Sequence, residues 1–221
     1  MKKLRSSSSG SKKWNLIKKL SLKLRILGVL LFLTASSYGN ETKPIQQISY
    51  NVVRNQTVIG TLKVTCGMEN SATIYYLESN IDVRFILRFV IKGKETSVYK
   101  NGVMVYSSVF RKVNNTVKAN HNVVYENQNY HEKSANTTKV LDFETIQDNL
   151  VKLYLNEPKG IKNVYCDNIR RIVRLETLGN GKYKVDFSDG KYNIFHYKDG
   201  KCVKIEANST LFSVTLIPVL S

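Results

Sequence analysis

Paired turn residues punctuate this chain at short, regular intervals, and they leave it little choice but antiparallel sheet. Asn101-Gly102, Asn114-Asn115, Asn180-Gly181, Asp189-Gly190 and Asp199-Gly200 each separate two short runs rich in β-branched and aromatic residues. A two-residue hairpin loop of type I′ needs positive φ at both central positions, which Asn, Asp and Gly tolerate best. The polar Arg54-Asn55-Gln56 joins Ile48–Val53 to Val58–Val64 in the same way, and both flanks alternate apolar with polar residues as half-buried strands do. The spacing predicts further strands at Thr73–Leu77, Val103–Val113, Thr116–Tyr125, Val173–Leu178, Tyr183–Phe187, Tyr192–Tyr197, Val203–Glu206 and Leu211–Ile217. Residues 80–100 read as a long β-branched stretch broken by Lys92-Gly93-Lys94.

One helix is expected within this series. Asp142 can cap it, Ile146, Leu150, Leu153 and Tyr154 recur at helical spacing, and Pro158 ends it. Residues 126–140 are rich in Asn, Lys, Ser and Thr with little periodicity, and read as a long mobile loop. The expected fold class is therefore α+β and mostly β. A long twisted antiparallel sheet, curled toward a partial barrel, has one helix packed on it.

The N-terminus has a different character. Residues 1–25 carry nine Lys and Arg and no acid; the apolar run Ile26–Leu33 follows, then Ala35, Ser36, Ser37 and Gly39. A basic n-region, a short apolar core and small residues at −3 and −1 make a secretory signal peptide, cut after Gly39. The apolar run falls well short of the ~20 residues that span a bilayer, so no transmembrane anchor is expected once the signal is removed. No Cys lies near the cut, which argues against a lipid anchor. Residues 1–39 are thus assigned as signal peptide and 40–221 as a single β-rich domain, placed in the periplasm or on the outer surface of a Gram-negative bacterium.

Export changes the charge argument. The whole chain carries +17, but losing nine basic residues leaves 25 Lys and Arg against 17 Asp and Glu, a net of +8. The remaining cations are scattered, with no basic run interleaved with aromatics to follow a phosphate backbone, so no nucleic-acid partner is expected. Export also permits disulfides. Of Cys66, Cys166 and Cys202, the pair Cys166–Cys202 is the one to test first, beside the alternative of three buried thiols.

Catalytic chemistry finds no constellation in the sequence. His121, His131 and His196 stand apart, without a spacing that sets two ligands on one face. Cys66-Gly67 with His121 or His196 as base is the one nucleophile arrangement open to the chain, and a strand-end Cys with a turn glycine is the favoured reading. Glu78, Asp82, Glu144 and Glu157 are acids without a partner defined by sequence. Asp167-Asn168 lacks the acidic repeat of a calcium loop. No catalytic, cofactor-binding or metal residue is assigned, and no cofactor is expected. Five Asn-x-Ser/Thr sequons, at Asn40, Asn55, Asn114, Asn136 and Asn208, arise readily in an Asn- and Thr-rich chain.

Aromatic residues fall on nearly every strand, among them Tyr75, Tyr76, Phe85, Phe89, Tyr99, Tyr106, Phe110, Tyr125, Tyr154, Tyr183, Phe187, Tyr192, Phe195 and Tyr197. They either line a concave face that holds an apolar ligand or form the core between sheet and helix. Taken in order, Ile59-Gly-Thr-Leu62, Tyr76–Val83, Tyr99–Met104, Leu153–Pro158, Ser188–Ile194 and Tyr197–Lys201 resemble an uncharacterised family of small exported proteins of Bacteroidetes-type bacteria, a domain of unknown function. The resemblance spans the mature chain and implies an exported antiparallel β-rich domain with one prominent helix; it brings no site residues with it. The reading that follows is a non-catalytic envelope protein that binds a lipid or other apolar or amphipathic ligand. The alternatives are a structural protein docking an envelope partner through a strand edge or the 126–140 loop and, third, an exported hydrolase.

Overall fold

The computed structural model describes residues 45–84, 87–134, 137–188, 190–210 and 213–219, and these belong to one compact unit, Thr42–Ser221. The expected signal peptide and its cleavage site lie outside the described residues, as do Asn40, Phe85, Asn136 and Asp189.

Among the described residues, fourteen strands form a single antiparallel sheet: β1 (Gln46–Arg54), β2 (Thr57–Glu69), β3 (Ala72–Arg84), β4 (Arg88–Lys100), β5 (Val103–Val113), β6 (Thr116–Glu126), β7 (Asn129–Ser134), β8 (Thr137–Leu141), β9 (Asn163–Cys166), β10 (Arg171–Gly179), β11 (Lys182–Ser188), β12 (Lys191–Lys198), β13 (Lys201–Asn208) and β14 (Ser213–Pro218). The spatial order runs from β8 back to β1, then from β14 back to β9. Two meanders are therefore joined side by side through β1 and β14, with Tyr50 opposite Pro218 and Val52 opposite Leu216. The sheet does not close, since β8 and β9 form its two edges.

Turn chemistry explains the regularity. Both central residues have positive φ in the loops Asn55-Gln56, Asn70-Ser71, Asn101-Gly102, Asn114-Asn115, Asn127-Gln128, Asn180-Gly181 and Asp199-Gly200. Asn or Asp leads every one, because its short polar side chain tolerates the left-handed region. Gly60 answers to a different constraint: a Cβ there would sit 2.3 Å from the Asn80 carbonyl oxygen and 2.6 Å from Ile81 Cα, so β2 and β3 approach too closely for a side chain.

Three expectations are corrected. Lys92-Gly93-Lys94 does not break a strand but lies inside β4, where Gly93 pairs with Ser79 and Arg111. The expected loop at 126–140 is instead strand: β7 turns back on β6 at Asn127-Gln128, and β8 pairs with β7 from Tyr130↔Leu141 to Ser134↔Thr137. The expected helix shrinks to one turn, α1 (Leu150–Leu153), capped by Asn149 rather than Asp142. The backbone of the preceding residues is already engaged by strands. Met104 N–H donates to Ile146 O, the Tyr130 hydroxyl accepts from Ile146 N–H, and Tyr165 N–H donates to Asp148 O. Groups so engaged are not available for i to i−4 bonds.

The segment between β8 and β9, from Asp142 to Lys162, forms a strap across the concave face, and the core is built on it. Val151, Leu153, Tyr154 and Leu155 are all buried, against Tyr50, Val64, Tyr75, Leu175, Phe195 and Ile205 of the sheet. Tyrosines of the sheet also satisfy the carbonyls that end the helical turn: Tyr197 Oη donates to Leu153 O, and Tyr50 Oη to Tyr154 O at 2.7 Å. Edge-on ring pairs Tyr154–Phe195 (5.5 Å) and Tyr50–Tyr154 (5.9 Å) lock the strap in place. Most of the sheet aromatics therefore serve as core.

Candidate functional site

Two kinds of hollow remain once the strap is in place. On the outer face of β2–β7, side chains stand in rows across the sheet because registered antiparallel strands present facing residues together. One row runs Thr65, Tyr76, Thr96, Ser108, Asn122, Lys133; the next runs Lys63, Glu78, Lys94, Phe110, Asn120. Over these rows lie two hollows of about 490 and 560 Å3 that share Lys94 and Thr96. Their lining is mixed: aromatic faces from Tyr76, Tyr106 and Phe110, hydroxyls and amides from Thr96, Ser108 and Asn122, ammonium groups from Lys63, Lys94 and Lys133, and carboxylates from Glu78 and Glu95. Lys94 is paired with Glu78 at 2.9 Å and Lys133 with Glu126 at 2.9 Å. Inside the sheet, beside the strap, the hollow next to Asn149 and Leu153 measures about 40 Å3. Ligand sites usually need several hundred cubic ångströms.

The second region is the seam where β6 and β7 face the β9–β10 turn. Backbone pairing does not close the sheet here; side chains do. His121 Nε2 lies 3.1 Å from the Asp167 carbonyl oxygen, and its Nδ1 lies 3.3 Å from Arg170 Nη1. A carbonyl only accepts, so Nε2 carries the proton; the guanidinium only donates, so Nδ1 accepts. The ring is thus neutral, and burial, with Arg170 and Arg111 nearby, holds its pKa below the usual histidine value. Arg170 also pairs with Glu132 at 3.2 Å. These groups, with Arg111, Lys118, Asn120, Ser134 and Asn168, line a pocket of about 380 Å3.

Behind the seam sits a buried polar cluster. Asn149 Nδ2 donates to Ser97 Oγ (2.7 Å) and to Asp167 Oδ2 (2.9 Å), while Asn149 Oδ1 caps α1. Asp167 is 2% exposed, and burial, reinforced by the charge of Glu95, pushes its carboxyl up to about 7. Glu95 is itself raised by burial, against the pull of Arg111 3.6 Å away. Asp167 Oδ1 and the hydroxyls of Tyr99 and Tyr165 are shielded and make no hydrogen bond within the described residues. In the sequence Asp167-Asn168 reads only as a turn acid without the repeat of a calcium loop; its burial follows from its place in the β9–β10 turn, directly after buried Cys166, which only the topology reveals.

The other residues considered from sequence are dispersed. Cys66 lies within β2, not at its end, against Tyr75; burial raises its thiol pKa, the opposite of what a nucleophile needs. His121 is on β6 with both ring nitrogens engaged, and His196 is on β12. His196 Nε2 lies 3.2 Å from Glu206 Oε1 but out of line for a hydrogen bond, and Lys204 takes that oxygen at 2.6 Å. His131 faces Val124 and Val140 across the sheet edge. Asp82 pairs with Arg88, Glu157 accepts from Tyr183 Oη at 2.9 Å, and Glu144 is exposed. Cys166 and Cys202 are both buried free thiols, so the disulfide considered between them is not formed. Among the described residues, no group of three or more His, Cys, Asp or Glu is placed to hold a metal, and no helix is long and apolar enough to cross a membrane.

The family model described as "Domain of unknown function (DUF6134)" matches residues 50–219, and the chain belongs to that family. No curated protein matches it. Among solved structures it is similar to the crystal structure of a beta-barrel-like protein of the domain of unknown function DUF1849 from Brucella abortus. That match has 13% identity and a TM-score of 0.48, and covers 78% of this chain and 95% of the other.

Proposed function

We propose that this DUF6134-family chain is a non-catalytic binding protein of the cell envelope, holding an amphipathic ligand on the outer face of its sheet. The single observation that carries the reading is the distribution of space. The concave face, where strand aromatics could line an apolar site, is occupied by the strap from Asp142 to Lys162. The outer face of β2–β7 instead offers two adjoining hollows lined by rings, hydroxyls, ammonium groups and carboxylates. Such a lining suits a molecule with one apolar and one polar side. The basic leader supplies the reason to place it outside the cytoplasm.

The test is to purify the protein from its own host and identify co-purifying small molecules by mass spectrometry, for the parent and for Tyr76→Ala. An amphipathic compound retained by the parent and depleted from the variant supports the reading. A compound retained equally by both removes the groove from it.

A second reading rests on the β7–β8 hairpin. β8 is a sheet edge whose pairing partner among the described residues is β7, and it presents Val140, 57% exposed. An edge of this kind can accept a strand from a partner protein. Thr138→Pro would remove a backbone donor from that edge, and loss of an envelope partner in pull-downs from that variant alone would favour docking over ligand binding.

A further inference from the structure

We propose that the seam pocket between β6–β7 and the β9–β10 turn is an anion-binding site that takes a phosphate or carboxylate group. Three cations from separate elements line it: Arg111 from β5, Lys118 from β6 and Arg170 from the turn. The one acid in the lining is Glu132, so the pocket walls hold an excess of two positive charges over a volume of about 380 Å3.

The arginines are aimed but not used up. Arg170 meets both Glu132 and His121 through Nη1, one of its three guanidinium nitrogens, so the seam fixes its direction while the rest of its donor fork stays unspent on those contacts. Arg111 stands 3.6 Å from Glu95, beyond hydrogen-bond length, so this pair orients it by charge without saturating it. Both are about a third exposed, enough for solvent and a small solute to reach them. A planar fork recognises the paired oxygens of a carboxylate or phosphate. Asn120, Asn168 and Ser134 add neutral hydrogen-bonding groups around the same space. His121 contributes no charge in its neutral tautomer and acts as a reporter, since an anion beside the ring favours its protonated form.

The inference goes beyond the groove reading and stands apart from it. Arg111, Lys118 and Arg170 do not line the outer hollows, although Asn120, His121 and Ser134 border both. Either can fail while the other holds.

The test uses protein expressed from the full chain, titrated at low salt with inorganic phosphate and, separately, acetate, while NMR follows the His121 ring. The expected result is a saturable shift, a rise in the His121 pKa with bound anion, weakening as NaCl is added, and affinity at least tenfold lower in Lys118→Gln and Arg111→Gln. Lys118 is exposed, so its variant keeps the fold even where Arg111→Gln disturbs it. Vesicles with and without phosphatidic acid separate a lipid headgroup from a free anion as the source of the phosphate. The proposal is overturned if phosphate moves the His121 signals no further than chloride at equal ionic strength. It is equally overturned if folded Lys118→Gln binds as the parent does.

Discussion

Tyr75 and Tyr76 are adjacent in the chain, yet 8% and 42% exposed respectively. The strand period of two sends Tyr75 inward, edge-on to Tyr99 at 5.6 Å, and sends Tyr76 outward onto the groove between Thr65 and Thr96. The same division runs along the neighbouring strand, where Ser97 and Tyr99 are buried and Thr96 and Lys94 line the hollows. Inner and outer faces of the same strands therefore do different work. The inner face carries stability by packing on the strap, and the outer face carries the hollows proposed to bind a ligand. Aromatic content alone does not say which face a ring serves.

Disturbing the inner face should have the largest effect. Leu153→Ala should cost about 2–5 kcal/mol in urea or thermal unfolding, the range for a buried leucine replaced by alanine. Binding by the remaining folded protein should not change. A large loss of affinity in stable protein would erase the distinction between the faces.

The seam between them should respond to pH. The Asp167 carboxyl sits at about 7 in the fold, against an ordinary value near 3.8. Its folded pKa is raised, so the native state holds the proton more tightly than the unfolded chain between about pH 4 and pH 7. Stability from this group is complete below that window and is lost as pH rises through it, with a limiting slope of about 1.4 kcal/mol per pH unit. Asp167→Asn should flatten that slope and be more stable than the parent at pH 8, as equilibrium denaturation at several pH values would show. His121 acts in the opposite sense. Its folded pKa is lowered, so its contribution is present above the ordinary histidine value and is lost as pH falls through the folded one.

Smaller effects sharpen the same contrast. Tyr50→Phe removes the bond to the Tyr154 carbonyl without opening a cavity, and should cost about 1–3 kcal/mol because a buried acceptor is left unpaired. Tyr76→Ala should change stability by about 0.5 kcal/mol or less, as an outward residue does, while lowering retention of the co-purified ligand. If Tyr76→Ala destabilises as strongly as Tyr50→Phe, the outer face is structural after all.

Most of the strand order was legible because Asn-Gly and Asp-Gly turns announce themselves. Asn70-Ser71 and Asn127-Gln128 did not, since the second residue is neither Gly nor Asn, although both adopt positive φ. Missing the latter turned a hairpin into a supposed loop. The helix was overextended because Ile146 and Leu150 share a helical spacing with Leu153, whereas the backbone at Ile146 and Asp148 is claimed by β5 and β9. Long-range hydrogen bonds of that kind leave no local pattern. The seam was invisible for the same reason: His121, Glu132, Asp167 and Arg170 come from β6, β7 and the β9–β10 turn, and only the curl of the sheet brings them together.

The most direct test of a filled interior with binding outside it is a backbone amide NMR titration with dodecyl phosphate below its micellar concentration. This probe combines an apolar chain with an anionic head. The expected perturbations fall at Thr65, Tyr76, Thr96 and Ser108 and reach the seam at Arg170. Perturbations centred on Leu153, Tyr154 and Phe195, with the outer row unmoved, would contradict the account.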